Sequence, residues 1–354
     1  MGHPAPAAER VGYPVPDPRS LNRTECVVAE PILKIENLTM HYITRAGEVA
    51  AVDNVSLTLH EGESLGLVGE SGSGKTSLAI CLLKLLPDNA VIKQGCIWFN
   101  DIDLVPLDEE QMRKYRWRRI SMVFQAAMNA LNPVYKVGDQ IIEAMETHLG
   151  VHTYDQARQR VAQLFQMVGL DPKFMDQYPH EYSGGMRQRA VIAMALACNP
   201  DIVIADEPTT ALDVIVQDAL LKELKLLQER IGMSMIYISH DIAVIAEVCD
   251  RIGIMYAGHL YELASADEIF YRPVHHYTAA LMSAFPSVTG PKRELTIVPG
   301  EPPNLLNPPS GCRFHPRCPA ATEICRTQVP PFEEHGDGHY AACWHPVGRF
   351  DHVG

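Results

Sequence analysis

The sequence predicts an α/β fold built on a mostly parallel sheet, and three observations predict it. The stretch Gly69-Glu70-Ser71-Gly72-Ser73-Gly74-Lys75-Thr76-Ser77 fits G-x-x-x-x-G-K-[ST]; a buried-strand pattern precedes it at 64–68, and a helical pattern follows it as far as Leu86, before Pro87. Past residue 200, short apolar strands alternate with helices. Between these regions, after Gln125, the pattern changes from strand to helix. Strands alternating with helices imply a sheet whose ligands lie beyond the carboxyl ends of its strands.

The first observation carries a mechanism. The glycines let backbone N–H groups turn inward around phosphate oxygens, and the helix N-terminus adds partial positive charge. In such a loop Lys75 reaches the β- and γ-phosphates of a nucleoside triphosphate, and the Thr76 hydroxyl ligates Mg²⁺. A Gly-rich turn with a stray lysine is the plain alternative, and the correct strand and helix flanks argue against it.

Taken in order, residues 1–31 hold six prolines and few large apolar residues, which predicts a flexible extension. Ile32-Leu33-Lys34-Ile35 alternates as a strand, and 48–59 adds a further pair of strand signals. Tyr42 lies in this region, where an aromatic either joins the core or stacks on an adenine ring. Strands are predicted at 96–100 and 120–124, the second ending at Gln125. Helices are predicted at 140–149 and at 155–168, the latter with Val161, Leu164, Phe165 and Val168 spaced i, i+3, i+4, i+7. Ser183 stands at the N-cap of a helix over 183–197. Then come Ile202-Val203-Ile204-Ala205-Asp206-Glu207, a helix over 214–231, and the strand Met235-Ile236-Tyr237-Ile238 before His240. Beyond about residue 265 the chain turns Pro-rich, and a small C-terminal module is expected there.

Composition narrows the function classes. The chain has 354 residues and is 47% hydrophobic, enough for two or three packed domains. Its net charge is −13, from 43 acidic and 30 basic residues, which does not suit a general nucleic-acid binder. The densest basic cluster, Arg113, Lys114, Arg116, Arg118 and Arg119, reads as a solvated helix face or partner contact. The longest apolar run, 191–198, falls far short of the ~20 residues of a membrane span. No secretory pattern opens the chain, so an intracellular protein reaching any membrane through a partner is expected.

The set Gly69–Thr76, Gln125, Ser183-Gly184-Gly185, Asp206-Glu207, Asp213 and His240, in this order, resembles the ATP-binding cassette (ABC) ATPases over about residues 32–262. Each member alone has a bland reading: a turn, a loop start, a surface His. Order and spacing together are what speak against coincidence. The resemblance implies a RecA-like P-loop ATPase core with an antiparallel β edge, spanning 32–265, and a helical subdomain inserted at about 126–190. It implies that Gly69, Glu70, Ser71, Gly72, Ser73, Gly74, Lys75, Thr76 and Ser77, with Tyr42, Gln125 and Asp206, bind ATP. Mg²⁺ is implied at Thr76, Gln125 and Asp206, with Asp206 acting through water. Glu207 is implied to polarise the attacking water, His240 to contact the γ-phosphate, and Lys75 to take part in catalysis. Ser183, Gly184, Gly185 and Asp213 are implied to serve the nucleotide of a second subunit. The chain departs from the family pattern at Tyr182 (commonly Leu), Met186 (commonly Gln) and Ala126-Ala127 (commonly an acidic residue and Pro).

Three further stretches resemble the oligopeptide/dipeptide importer ATPases: Leu131-Asn132-Pro133 after Gln125, His275-His276-Tyr277-Thr278-Ala279-Ala280-Leu281, and Pro299-Gly300-Glu301-Pro302-Pro303-Asn304-Leu305. His276 stands where Pro is usual. This implies a subunit energising import, paired with a second ATPase (a heterodimer), two membrane permeases and an external binding protein at the cytoplasmic face of the membrane. The cargo is peptides, or nickel or oligosaccharides in some relatives. A soluble cassette ATPase acting on DNA or ribosomes is the rival from another class; the single cassette, the negative charge and the lack of heptads speak against it. For an exporter ATPase, the second rival, the Pro-rich cysteine tail would be out of place.

Of nine cysteines, Cys312, Cys318, Cys325 and Cys343 fall close together in the module at 266–354, which a cytosolic chain does not explain by disulfides. Four thiolates in such a loop suit an iron–sulfur cluster or structural zinc, with His315 or His345 possible in place of one Cys. Four unligated thiols are the remaining reading. Resemblance to the importer subfamily implies a [4Fe–4S] cluster.

Overall fold

The computed structural model describes residues 31–125, 130–150, 153–209, 214–283, 298 and 300–348. Residues 1–30 of the predicted extension and Asp213 lie outside these residues, as do Ala126, Ala127 and Pro299, while Pro31 already opens the first strand.

Two sheets form the frame. The long strands β1 (Pro31–Thr44) and β2 (Gly47–His60) pair antiparallel, and β4 (Ala90–Phe99) and the short β5 (Ile102–Asp103) complete a sheet of order β2-β1-β4-β5. The two strand signals predicted over 48–59 are thus one continuous strand whose apolar residues Val52, Val55, Leu57 and Leu59 are buried. The larger sheet holds β3 (Ser64–Val68), β6 (Ile120–Val123), β7 (Ile202–Asp206), β8 (Ser234–Ser239), β9 (Arg251–Tyr256), β10 (His259–Ser265), β11 (Glu333–Gly336) and β12 (His339–Ala341). Its order is β11-β12-β10-β9-β3-β8-β7-β6; the strands from β9 to β6 run parallel, and the β10 side is antiparallel.

Side-chain alternation along these strands splits the core in two. Ile202, Ile204, Ile236 and Ile238 face a cluster with α1 (Lys75–Leu82) and the antiparallel sheet. Val203, Ala205, Met235 and Tyr237 face the other cluster, which takes in the helical region. That region contains α3 (Val137–Leu149), α4 (Tyr154–Met167) and α5 (Gly184–Ala195); the short α2 (Glu109–Met112) precedes it. Helices α6 (Val214–Ile231), α7 (Ile242–Val248), α8 (Ala266–Tyr271), α9 (His276–Ser283) and α10 (Glu323–Thr327) follow.

One expectation is corrected, and one is sharpened. Helix α1 ends at Leu82, not Leu86. Lys84 takes a left-handed φ of 47°, and its ammonium donates to the carbonyls of Val105 and Leu107, so a distant loop ends the helix without Gly or Pro. The C-terminal module is less irregular than its prolines suggest, because β12 pairs with β10 and extends the main sheet. Glu262 on β10, fully buried, staples it there by accepting from the amides of Val274 and His275 and from His339 Nε2.

Candidate nucleotide site

Strand β3, buried throughout, delivers the chain into the phosphate loop. Three glycines make its path possible. A Cβ on Gly69 would stand 2.0 Å from the Met255 carbonyl oxygen, and one on Gly74 would stand 2.2 Å from that of Ala51; Gly72 and Gly74 have φ of 76° and 102°. Lys75 opens α1 with its ammonium turned back over the loop, donating to the Gly69 carbonyl (2.7 Å), the Glu70 carbonyl (3.0 Å) and Ser73 Oγ (3.1 Å). Burial lowers the lysine pKa, opposed by the negative charges of Glu207, Asp206 and Glu70. Tyr42 on β1 reaches the same loop, its hydroxyl 3.2 Å from Ser77 Oγ.

The carboxyl ends of three neighbouring strands supply the rest. β7 ends in Asp206, which is 1% exposed. Burial raises the Asp206 pKa, opposed by a hydrogen bond with Thr76, and its Oδ1 has no hydrogen-bond partner. A buried carboxylate oxygen with unused lone pairs beside the Thr76 hydroxyl is a donor set of the hard-oxygen kind that Mg²⁺ takes, and these two residues fit that ion. Glu207 follows in a left-handed conformation (φ 46°), a strained position of the kind that collects at functional sites. Its carboxylate accepts from Gln125 Nε2 (2.9 Å), beyond β6, and lies 3.1 Å from His240 Nδ1, beyond β8. The fold thus brings together Tyr42, the loop, Gln125, Asp206, Glu207 and His240.

The Ser-Gly-Gly turn stands apart. Ser183 caps α5, its Oγ accepting from the Met186 amide at 3.3 Å. Among the described residues no hydrogen bond joins Ser183, Gly184 or Gly185 to the phosphate loop. Tyr182, the departure from the family pattern, is a core residue whose hydroxyl donates to the Phe174 carbonyl at 2.7 Å.

The four clustered cysteines line one cavity with His275, His276, His315 and His345. Burial pushes the Cys312 and Cys343 thiols up to about 11, and neighbouring thiols add to it. Among the described residues no three His, Cys, Asp or Glu side chains converge on a single metal-ion position. His315 Nδ1 bonds the Cys312 carbonyl and His345 Nε2 bonds Thr322 Oγ1.

Sequence reasoning missed the partners that brace the loop from the C-terminal module. Arg317 grips the Glu70 carboxylate, Tyr277 Oη accepts from the Glu70 amide, and Arg313 pairs with Asp53. Two arginines standing directly beside Cys312 and Cys318 were the available signal.

A phosphate loop between a parallel strand and a helix, with carboxylates ending the adjacent strand, defines a RecA-like P-loop nucleotide hydrolase. Residues 52–210 match the ABC transporter family, and 261–325 match the C-terminal region of oligopeptide/dipeptide transporters. The chain is 45% identical to the oligopeptide transport ATP-binding protein OppD of Bacillus subtilis over 321 residues (89% of either chain). It is 42% identical to OppD of Salmonella typhimurium over 332 residues, covering 93% of this chain and 98% of that one. It is 43% identical to the dipeptide transport ATP-binding protein DppD of Bacillus subtilis over 327 residues, covering 92% and 97%. Among solved structures, a dimeric post-hydrolysis state of the ATP-binding cassette MJ0796 with ADP and Pi superposes with TM-score 0.60 at 30% identity, covering 66% of this chain and 98% of that one. CbiO1 of Clostridium perfringens, part of an ABC transporter complex, superposes with TM-score 0.59 at 25% identity, covering 68% and 91%. The chain belongs to the ABC transporter ATPase family, within its oligopeptide/dipeptide branch. No helix among the described residues is long and apolar enough to cross a membrane.

Proposed function

We propose that the chain is the ATP-hydrolysing subunit of an importer for oligopeptides or dipeptides. The observation that carries this is the convergence of Lys75, Gln125, Asp206, Glu207 and His240 at one sheet edge, in a chain similar over most of its length to peptide-transport ATP-binding proteins. Residues 69–77 hold the triphosphate, Lys75 exchanges its loop carbonyls for phosphate oxygens, and Tyr42 stacks on the base. Mg²⁺ held by Thr76 and Asp206, with Gln125 near it, supplies charge neutralisation at the β- and γ-phosphates. Glu207 takes the proton from the attacking water and His240 contacts the γ-phosphate; their mutual hydrogen bond fixes both side chains before reaction.

Ser183, Gly184 and Gly185, with Asp213, serve the nucleotide of a second, similar ATPase. Two permeases and an external binding protein complete the assembly at the cytoplasmic face of the membrane. Cys312, Cys318, Cys325 and Cys343 would hold a [4Fe–4S] cluster, a reading supported by their sharing one cavity; it would supply a rigid cross-link within the module. The domain reading follows: an ATPase unit over 32–265, its helical part at about 126–190, and the cysteine module over 266–354.

Uptake of labelled peptides by cells lacking and regaining this gene tests the cargo. Unchanged peptide uptake on deletion, with loss of nickel or oligosaccharide uptake, overturns the peptide assignment. Iron and labile sulfide in anaerobically purified protein test the cluster, and finding neither removes it.

A further inference from the structure

Glu70 is the second residue of the phosphate loop, and it places a carboxylate on a loop that has to hold a polyanion. The structure meets this charge with a residue 247 positions away. Arg317 Nη1 donates to Glu70 Oε2 at 2.8 Å and Nη2 donates to Oε1 at 3.0 Å, a two-bond fork. The Arg317 side chain is 6% exposed. Its planar head lies 5.6 Å from the Tyr256 ring centroid and donates to the Tyr256 hydroxyl and the Val298 carbonyl, which fixes the fork in place.

Glu70 is held on every side. Its amide donates to the hydroxyl of the fully buried Tyr277, and its carbonyl accepts from Lys75. The far end of the loop is braced from the same segment. Arg313 donates to the Ala257 carbonyl, and the next amide, Gly258 N–H, donates to the Ser73 carbonyl at 2.9 Å. Residues 312–318 therefore bracket the loop at Glu70 and at Ser73.

We propose that Arg317 is a positioning residue for the ATP-binding loop, acting through Glu70, so that residues 312–318 set nucleotide affinity; this rests on the reading of that loop as the ATP site. The physical reason is charge. With Arg317 in place the Glu70 carboxylate is neutralised and pinned, whereas without it an uncompensated negative charge stands on the loop that receives the triphosphate. The guanidinium acts at one remove, since it is buried and spent on Glu70, Tyr256 and Val298.

The test is a double-mutant cycle on the full chain, reading the Kd of Mg-ATP and Mg-ADP by calorimetry for wild type, Arg317→Met, Glu70→Gln and the pair. Arg317→Met is expected to weaken both nucleotides roughly tenfold, while the same change in the Glu70→Gln background costs less than about threefold. Arg317→Lys, which keeps the charge and loses the fork, falls between. A role in packing alone predicts the same loss in both backgrounds, and that result, or wild-type affinity in Arg317→Met, overturns the proposal. If Arg317→Met does not fold, Arg317→Lys measured with and without Glu70→Gln makes the same comparison. A wild-type chain that binds no Mg-ATP refutes the ATP site itself, which separates that failure from this one.

Discussion

Glu207→Gln separates chemistry from architecture. The substitution keeps side-chain length and both neighbours can be kept: an amide oxygen accepts from Gln125 Nε2, and the new amide N–H donates to His240 Nδ1 in its other tautomer. The backbone strain at φ 46° is the same for Gln as for Glu, so folding stability should change by no more than about 0.5 kcal/mol. What disappears is the proposed base. A positioned general base contributes about 10²–10⁴ in rate, which corresponds to about 3–5 kcal/mol of barrier. Binding should not suffer, because the change removes a negative charge from beside Lys75, the group proposed to meet the phosphates. The assay is single-turnover release of phosphate from Mg-ATP alongside a direct Kd for ATP. Turnover within about threefold of wild type would refute the assignment of Glu207 as the base; lost ATP binding would show that the carboxylate holds the site together instead.

Three other perturbations have worked outcomes. Gly72→Ala meets open space and costs only the left-handed penalty of about 1–2 kcal/mol, whereas Gly74→Ala also drives a methyl against the Ala51 carbonyl and should cost at least about 3 kcal/mol and abolish ATP binding; equal losses in chemical denaturation would contradict this. Asp206→Asn removes a buried, half-unpartnered charge and should stabilise the chelator-treated protein by about 1 kcal/mol while Mg-dependent hydrolysis is lost; melting curves and phosphate release check the two halves. Asp53 is held below the usual carboxylate range by its hydrogen bond from His259 and the charges of His259 and Arg313. A lowered folded pKa gives stability that is present above the unfolded value, near pH 4, and is lost as pH falls through the folded one. Asp53→Asn should therefore cost about 1–3 kcal/mol at pH 7, and the gap to wild type should close below pH 4; a gap independent of pH would show that packing, not charge, joins Arg313 to β2.

The parts of the fold that were legible are those set by local periodicity. The strand, loop and start of α1 follow from buried strand pattern, glycines and lysine, and α6 spans 214–231 as its pattern requires. Where the reading stopped short, a distant partner decides. Lys84 ends α1 because the Val105 and Leu107 carbonyls lie within its reach, which no window around residue 84 contains. The C-terminal module joins the main sheet because β10 offers β12 an edge and Glu262 accepts from three donors. Within the site, Asp206, Glu207 and His240 were visible because each ends an apolar strand. The Arg317–Glu70 fork was not, since its partners are 247 residues apart: the arginine beside Cys318 marks itself out but nothing local names its partner.

The Ser-Gly-Gly turn sharpens what one chain can do alone. Helix α5 is twelve residues long, has no acidic residue in its first turn and begins at an exposed Ser183, so its N-terminal N–H groups and partial positive charge point outward. The turn is rigid from beneath: Tyr182 is buried and tied to Phe174, and Arg187 Nε donates to the Tyr182 carbonyl. On the reading proposed above, the loop that binds a triphosphate and the helix end that covers one sit on the same chain without meeting. Two chains facing each other would complete both sites, and hydrolysis then requires association. The rate per chain should rise when the second, similar ATPase is added to the purified protein, and Ser183→Arg should reduce that rise while leaving this chain's Kd for ATP within about threefold of wild type. A rate that does not change when the second ATPase is added, from two chains that do not associate in the presence of ATP, would refute the shared-site reading.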